Sequence, residues 1–216
     1  MANKTIYLVR HGETEYNRLG IVQGGGIDSV LNPRGRLQAR AFYEHYRETT
    51  FEAVLTSELQ RTHQTMEPFV EKPLPWERHA DIDEMNWGIF EGKRSTPQMH
   101  ERYKAIMEAW RRGDYHARLE GGESAHELGQ RLDRFVEHLH DRLEDRLLVC
   151  SHGRALRCML TIMLGLPLSA MQQFKHANTG LYELELKDGT FKLLRENDLT
   201  HLEKMDLHPK PLQSKP

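Results

Sequence analysis

Short continuous apolar runs alternate along the chain with stretches that carry apolar residues at helical spacing. Thr5-Ile6-Tyr7-Leu8-Val9 is unbroken and β-rich, which predicts a buried strand. Pro33-Arg34-Gly35 opens a helix through about Arg47, with Leu37, Ala41, Phe42 and Tyr46 as its expected buried side. Phe51 to Thr56 reads as a second strand. Ser57-Glu58-Leu59-Gln60 has the form of a capping box, so the next helix is expected to start there, with Pro68 and Pro73 bounding its end. Ile82 to Gly92 predicts a loop. Pro97 to Arg112 predicts a helix bearing Tyr103, Ile106, Met107 and Trp110, and Gly113 to Gly122 breaks it. From Ser124 to Leu143, apolar residues Leu128, Leu132, Phe135, Val136, Leu139 and Leu143 recur in steps of three and four, the clearest amphipathic helix in the sequence. Leu147 to Cys150 reads as a third buried strand. Leu156, Met159, Leu160 and Met163 give helical spacing up to Gly165-Leu166-Pro167. Leu181 to Leu186 and Phe191 to Arg195 flank Asp188-Gly189, a two-residue hairpin signal.

Strands alternating with helices imply an α/β fold: a three-layer α/β/α sandwich around a mostly parallel sheet, closed by a C-terminal antiparallel hairpin. We expect a single domain over residues 1–206 and a Pro-rich flexible tail over 207–216, where Pro209, Pro211 and Pro216 fall. The chain has 216 residues, enough for one sizeable core. Thirty Lys and Arg against 32 Asp and Glu give a formal charge of −2, which argues against nucleic-acid binding through bulk charge. No apolar run approaches the roughly 20 residues of a membrane span. The N-terminus lacks the long apolar region of a signal peptide, and Cys150 and Cys158 form no spaced ligand pair. A reduced, cytoplasmic setting is therefore expected.

Two segments share one layout. Ile6-Tyr7-Leu8-Val9 runs into Arg10-His11-Gly12, and Leu148-Val149-Cys150 runs into Ser151-His152-Gly153. Parallel neighbouring strands would deliver both imidazoles to the same sheet edge, where α/β sheets bind their ligands. The strand ending at Thr56 points there too, and Arg61 lies in the first turn of the helix after it. Taken singly, each histidine is an ordinary buried side chain and each arginine an ordinary ion-pair partner. Repetition of the layout shifts the weight towards a phosphate dianion, whose oxygens match guanidinium forks and helix N-termini.

Leu8-Val9-Arg10-His11-Gly12-Glu13-Thr14-Glu15-Tyr16-Asn17 resembles the signature of the histidine phosphatase superfamily, in its phosphoglycerate-mutase-like branch 1. Thr56 to Thr65, Asp83 to Gly92, Gly121 to Ser124, Ser151 to Gly153 and Asn178 to Leu181 resemble further motifs of that family in the same order, from about Thr5 to Leu202. The resemblance implies a phosphatase acting on a small phosphorylated metabolite through a phosphohistidine. His11 would be the nucleophile. Arg10, Arg61 and His152 would hold the phosphoryl oxygens. Glu84 would protonate the leaving oxygen and then activate water. Asn17, Gln23, Gly24 and Gly153 match phosphate-pocket positions. No cofactor or metal is implied, and a homodimer is compatible with the pattern.

Two departures stand out. Ile21 sits where the family often has a basic residue, and Gly24-Gly25-Gly26-Ile27-Asp28 is one residue longer than the common form. Three rival functions fit the sequence less well. A phosphoglycerate mutase would need a substantial lid, but only 39 positions separate Glu84 from Glu123, against the long insertion of the family's mutases. A metal hydrolase is suggested by the 13 histidines. However, His126-Glu127-Leu128-Gly129-Gln130 has Gln where a second zinc ligand belongs, and His138 and His140 face different ways on a helix. A catalytically inactive phospho-ligand-binding module is disfavoured because every residue the chemistry needs is present. Lys93, Arg94, His100, Arg111 and Arg112 in the region 93–121 could face a substrate anion or simply water.

Overall fold

A computed structural model describes residues 3–71 and 73–203. The expected tail over 207–216 lies outside the described residues. In chain order the elements are β1 (Lys4–Arg10), α1 (Glu15–Leu19), α2 (Pro33–Tyr46), β2 (Ala53–Thr56), α3 (Gln60–Val70), β3 (Trp76–Arg78), α4 (Pro97–Arg111), α5 (Ala125–Asp141), β4 (Arg146–Ser151), α6 (Gly153–Met163), β5 (Leu181–Lys187), β6 (Thr190–Asp198) and α7 (Thr200–Glu203). Short 3₁₀ turns at Ala80–Ile82, Gly88–Phe90 and Leu168–Gln173 punctuate the loops.

The strands form one six-stranded sheet in the order β3-β2-β4-β1-β5-β6. Its first four members are parallel, while β5 and β6 run antiparallel. Because side chains alternate along a strand, each central strand feeds both faces. Ile6, Leu8, Leu147 and Val149 pack under Leu128, Leu132, Leu156 and Met159 of α5 and α6. Val9, Val54, Leu148 and Cys150 pack under Phe42, Met66 and Phe69 of α2 and α3. Strands buried on both sides therefore read as unbroken apolar runs, and the three-layer sandwich follows. The β5–β6 turn carries positive φ at both Asp188 (50°) and Gly189 (76°), the type I′ geometry that suits the right-handed twist of a hairpin.

Four details differ from expectation. Leu37 is 49% exposed, and its neighbour Gln38 is buried instead, because the Gln38 Oε1 accepts from the Glu13 backbone N–H at 2.9 Å. Leu143 is 93% exposed, because α5 ends at Asp141 and the chain leaves the core there. Ser57 does not cap α3. The helix starts at Gln60, and Asp28, from a distant loop, accepts from the Gln60 backbone N–H at 2.7 Å and from its side-chain amide at 2.9 Å. Pro68 lies inside α3 rather than beyond it. The short β3 and α1 carry too few apolar residues to show a period.

Candidate active site

The register of β1 on β4 places Arg10 beside Ser151, and β2 on β4 places Thr56 beside Cys150, so three parallel strands end in line. The residues that follow two of them are His11 and His152. Both are buried, with ring centroids 5.1 Å apart. The His11 backbone N–H donates to the Ser151 carbonyl at 3.0 Å, which locks the two strand ends together.

Hydrogen bonds decide the tautomers. The His11 Nδ1 lies 2.7 Å from the Gly12 carbonyl, which can only accept, so Nδ1 carries the proton and Nε2 presents a lone pair. His152 takes the opposite form. Its Nδ1 accepts from Arg61 Nε at 3.0 Å, so its Nε2–H donates to Ser57 Oγ at 2.8 Å. Ser57 is also bonded to Thr62 Oγ1 at 2.9 Å. The serine that resembled a helix cap thus orients a histidine.

Close backbone approach holds the His11 loop. A Cβ on Gly12 would lie 2.6 Å from the Gly35 carbonyl oxygen, and one on Gly35 would lie 2.0 Å from that of Glu13. The first turn of α2 can press against the loop only because both residues are glycine. Thr65 Oγ1 accepts from the Gly12 N–H at 2.9 Å, and the Asn178 amide donates to the His11 carbonyl at 3.0 Å and to Asn17 Oδ1 at 3.2 Å.

Arg61 is fully buried in the first turn of α3. Besides His152, it donates from Nη1 to the Ile27 carbonyl at 2.6 Å and from Nη2 to that of Gly24 at 3.3 Å. Arg10 donates from Nη1 to the His176 carbonyl at 2.6 Å and lies 3.1 Å from His176 Nδ1, while its buried Nε has no partner among the described residues. Burial pushes both guanidinium groups down to about 10, still charged at neutral pH. Burial, reinforced by Arg61 and Arg10, holds His11 and His152 well below the usual imidazole range. Two neutral imidazoles therefore lie among two cations.

Glu84 reaches the same place from the loop after β3. Its carboxylate accepts from the backbone N–H groups of Met85 at 2.8 Å and of Arg154 and Ala155 at 3.1 Å, at the N-terminus of α6. Among the charged groups acting on Arg10 and Arg61, Glu84 is the strongest in each case.

The structure thus gathers Arg10, His11, Arg61, Glu84, His152, Gly24 and Gly153 around one end of the sheet. Asn17 joins them through Asn178. Gln23 stands one hydrogen bond further out: its Oε1 accepts from Thr14 Oγ1 at 2.9 Å and Ser29 Oγ at 2.6 Å. Gln23 also lines a cavity of about 340 Å³ with Val22, Trp87, Phe90, Met99 and Tyr103. His176, Ser57 and Asp28 were not foreseen. His176 follows no strand and sits in a polar connection, so no local pattern marks it. Asn178 was visible only as part of a motif.

One cluster of potential metal ligands occurs among the described residues: Glu77, His79 and His138, with ligand atoms within 4.8 Å of one another. Arg142 Nη1 already donates to both Glu77 oxygens at 2.7 Å, and the cluster shares no residue with the His11 network.

Comparison with known proteins places this geometry. The sequence model of the histidine phosphatase superfamily (branch 1) matches residues 6–199. The chain is 32% identical over 190 residues to a protein of Escherichia coli strain E24377A named "Probable phosphoglycerate mutase GpmB", covering 85% of each. Among solved structures, the α-ribazole phosphatase from Shigella flexneri superposes with a TM-score of 0.79 at 26% identity, over 90% of this chain and 96% of that one. Bacillus stearothermophilus YhfR gives 0.80 at 26% identity, over 93% and 100%.

Proposed function

Because the chain belongs to the histidine phosphatase superfamily, branch 1, we propose that it hydrolyses small phosphate monoesters through a phosphohistidine on His11. The observation that carries this reading is the bond from His11 Nδ1–H to the Gly12 carbonyl. It leaves Nε2 unprotonated on a neutral ring set among fixed positive charges.

The reaction follows in two steps. His11 Nε2 attacks phosphorus, the P–O ester bond breaks, and Glu84 gives its proton to the departing oxygen. Water then attacks the phosphohistidine, Glu84 takes the water proton, the P–N bond breaks and inorganic phosphate leaves. Arg10, Arg61 and His152 face the three non-bridging oxygens, whose charge spreads in the transition state. In this reading His152 exchanges its Ser57 contact for a phosphoryl oxygen. Asn17, Gln23, Gly24 and Gly153 complete the walls. The positive charge comes from guanidinium groups, so the reading requires no metal, and turnover should persist undiminished in EDTA.

Hydrolysis of p-nitrophenyl phosphate by the wild type, lost in His11→Ala, tests the reading. Alkaline denaturation during turnover should trap an acid-labile phosphoryl group on His11. Turnover without any such adduct overturns it. The name of the Escherichia coli relative favours a second reading, phosphoglycerate mutase. Incubation with 3-phosphoglycerate and a trace of the 2,3-bisphosphate separates the two, since a mutase isomerises the ester with little release of free phosphate.

A further inference from the structure

Two part-buried arginines elsewhere in this protein have carboxylate partners: Arg131 pairs with Glu123 at 2.7 Å, and Arg142 with Glu77 at 2.7 Å. Two arginines on α6 do not. Arg154 is only 5% exposed, and its Nη1 is buried with no hydrogen-bond partner among the described residues. Its Nη2 donates to Tyr103 Oη at 2.5 Å, and its guanidinium carbon lies 5.6 Å from each of the Trp87 and Trp110 ring centroids. The aromatic rings and the tyrosine fix the group's direction without neutralising it. One turn further on, Arg157 donates from Nη1 to Gln172 Oε1 at 3.0 Å, and its Nε is likewise buried and unpartnered. Among the described residues, neither Arg154 nor Arg157 has an acidic group within ion-pair distance.

These two cations adjoin the phosphoryl site. The Arg154 backbone N–H holds Glu84, and His176, bonded to Arg10, lies in the field of all three guanidinium groups. Burial, then that field, push the His176 ring down to about 2. Gly153 lets His176 and Arg10 pack close to the start of α6: a Cβ there would lie 3.2 Å from His176 Nδ1 and 3.6 Å from Arg10 Nε. A transferring phosphoryl group accounts for Arg10 and Arg61. It leaves the charges of Arg154 and Arg157 uncompensated, and an unpaired buried cation is costly.

We propose that Arg154 and Arg157 form a second anion-binding subsite, so that the preferred ester carries a further oxyanion, a carboxylate or a second phosphate, on its leaving group. Trp87 and Tyr103, which hold Arg154, also line the 340 Å³ cavity beside Gln23, and the leaving group would lie along that wall. The proposal rests on the phosphatase reading for its substrate but not for its binding chemistry.

The test is therefore a binding measurement on His11→Ala, which cannot turn over. Two matched pairs serve as probes: 3-phosphoglycerate against glycerol 3-phosphate for the carboxylate, and fructose 1,6-bisphosphate against fructose 6-phosphate for the second phosphate. The expected result is at least tenfold tighter binding of the anion-bearing member in one pair. Adding Arg154→Met or Arg157→Met should cut that preference to threefold or less, and Arg154→Lys should restore part of it. The arm that responds identifies the anion. A preference below threefold in both pairs overturns the proposal, as does a preference that survives both substitutions. If Arg154→Met does not fold, Arg157→Met and the ligand ratios in the single variant still decide. Phosphate release by the wild type is scored separately. Binding preference without release removes the phosphatase reading and leaves the subsite standing.

Discussion

Replacing His201 tests the claim that neutral buried histidines tie this fold to neutral pH. His201 is 2% exposed at the start of α7, edge-on to Phe42 with ring centroids 5.2 Å apart. Thr179 Oγ1 donates to the Asn178 carbonyl and so accepts from His201 Nε2 at 3.0 Å, which leaves Nδ1 buried and without a partner among the described residues. Protonation would put a charge there with no acceptor. Burial, then His45, push the ring down to about 4. An unfolded histidine titrates near 6.5, so below that pH the unfolded chain binds a proton that the fold refuses. The stabilising contribution of the neutral ring is complete above 6.5 and is lost as pH falls towards 4. At about 1.4 kcal/mol per pH unit, this costs roughly 2–3 kcal/mol between pH 7.5 and 4.5. His176, held lower still, adds a similar amount, so the pair together reach roughly the lower end of the ~5–15 kcal/mol stability of a typical domain. Urea unfolding followed by tryptophan fluorescence at four pH values measures the slope for the wild type and for His201→Phe. The variant should lose roughly 2–3 kcal/mol less over that range. Comparing slopes cancels any uniform change in stability. Equal slopes would refute the reasoning.

Three further outcomes are expected. The acid limb of kcat/KM for p-nitrophenyl phosphate, corrected for ionisation of the ester, should lie well below pH 6.5, because burial and two arginines keep His11 neutral; a fall centred at 6.5 would contradict that placement. Arg61→Ala should lower kcat about 10²–10³-fold, the effect of losing one preorganised donor, and steady-state kinetics on the same ester measures it. Gly35→Ala should destabilise the fold by about 1–3 kcal/mol, since the added Cβ meets backbone rather than a flexible side chain; an unchanged Tm would show that the loop yields.

Much of the fold was legible because strands buried on two faces leave unbroken apolar runs and α5 leaves a strict stripe. The errors fall where local chemistry was outbid by a distant partner. Ser57 has the sequence of a helix cap, but His152 claims its hydroxyl and Asp28 caps α3 from 32 residues away. Leu37 has the hydrophobicity for the core, but Gln38 holds the inward position through the Glu13 backbone. The candidate site divides in the same way. Residues that directly follow a strand, His11 and His152, announce themselves through the strand. Glu84, in a loop, was reached only through family resemblance, and His176 was not reached at all. Its role depends on Arg10, 166 residues away in sequence.

The same dependence explains why two histidines of similar layout take opposite tautomers. Each follows an apolar strand and precedes glycine, so the local sequence treats them alike. What separates them is the neighbour each Nδ1 meets. A carbonyl oxygen 2.7 Å from His11 demands a proton there, and the Arg61 Nε–H 3.0 Å from His152 forbids one. One ring is thereby left with a lone pair on Nε2 and the other with a donor. A nucleophile and an oxyanion partner require just that division. It would be erased if Arg61 were replaced by a residue unable to donate, because His152 could then adopt either tautomer. Arg61 accordingly sets the protonation of its neighbour as well as supplying charge. Methionine, which fills similar volume but cannot donate, should remove both the charge and the constraint on the tautomer.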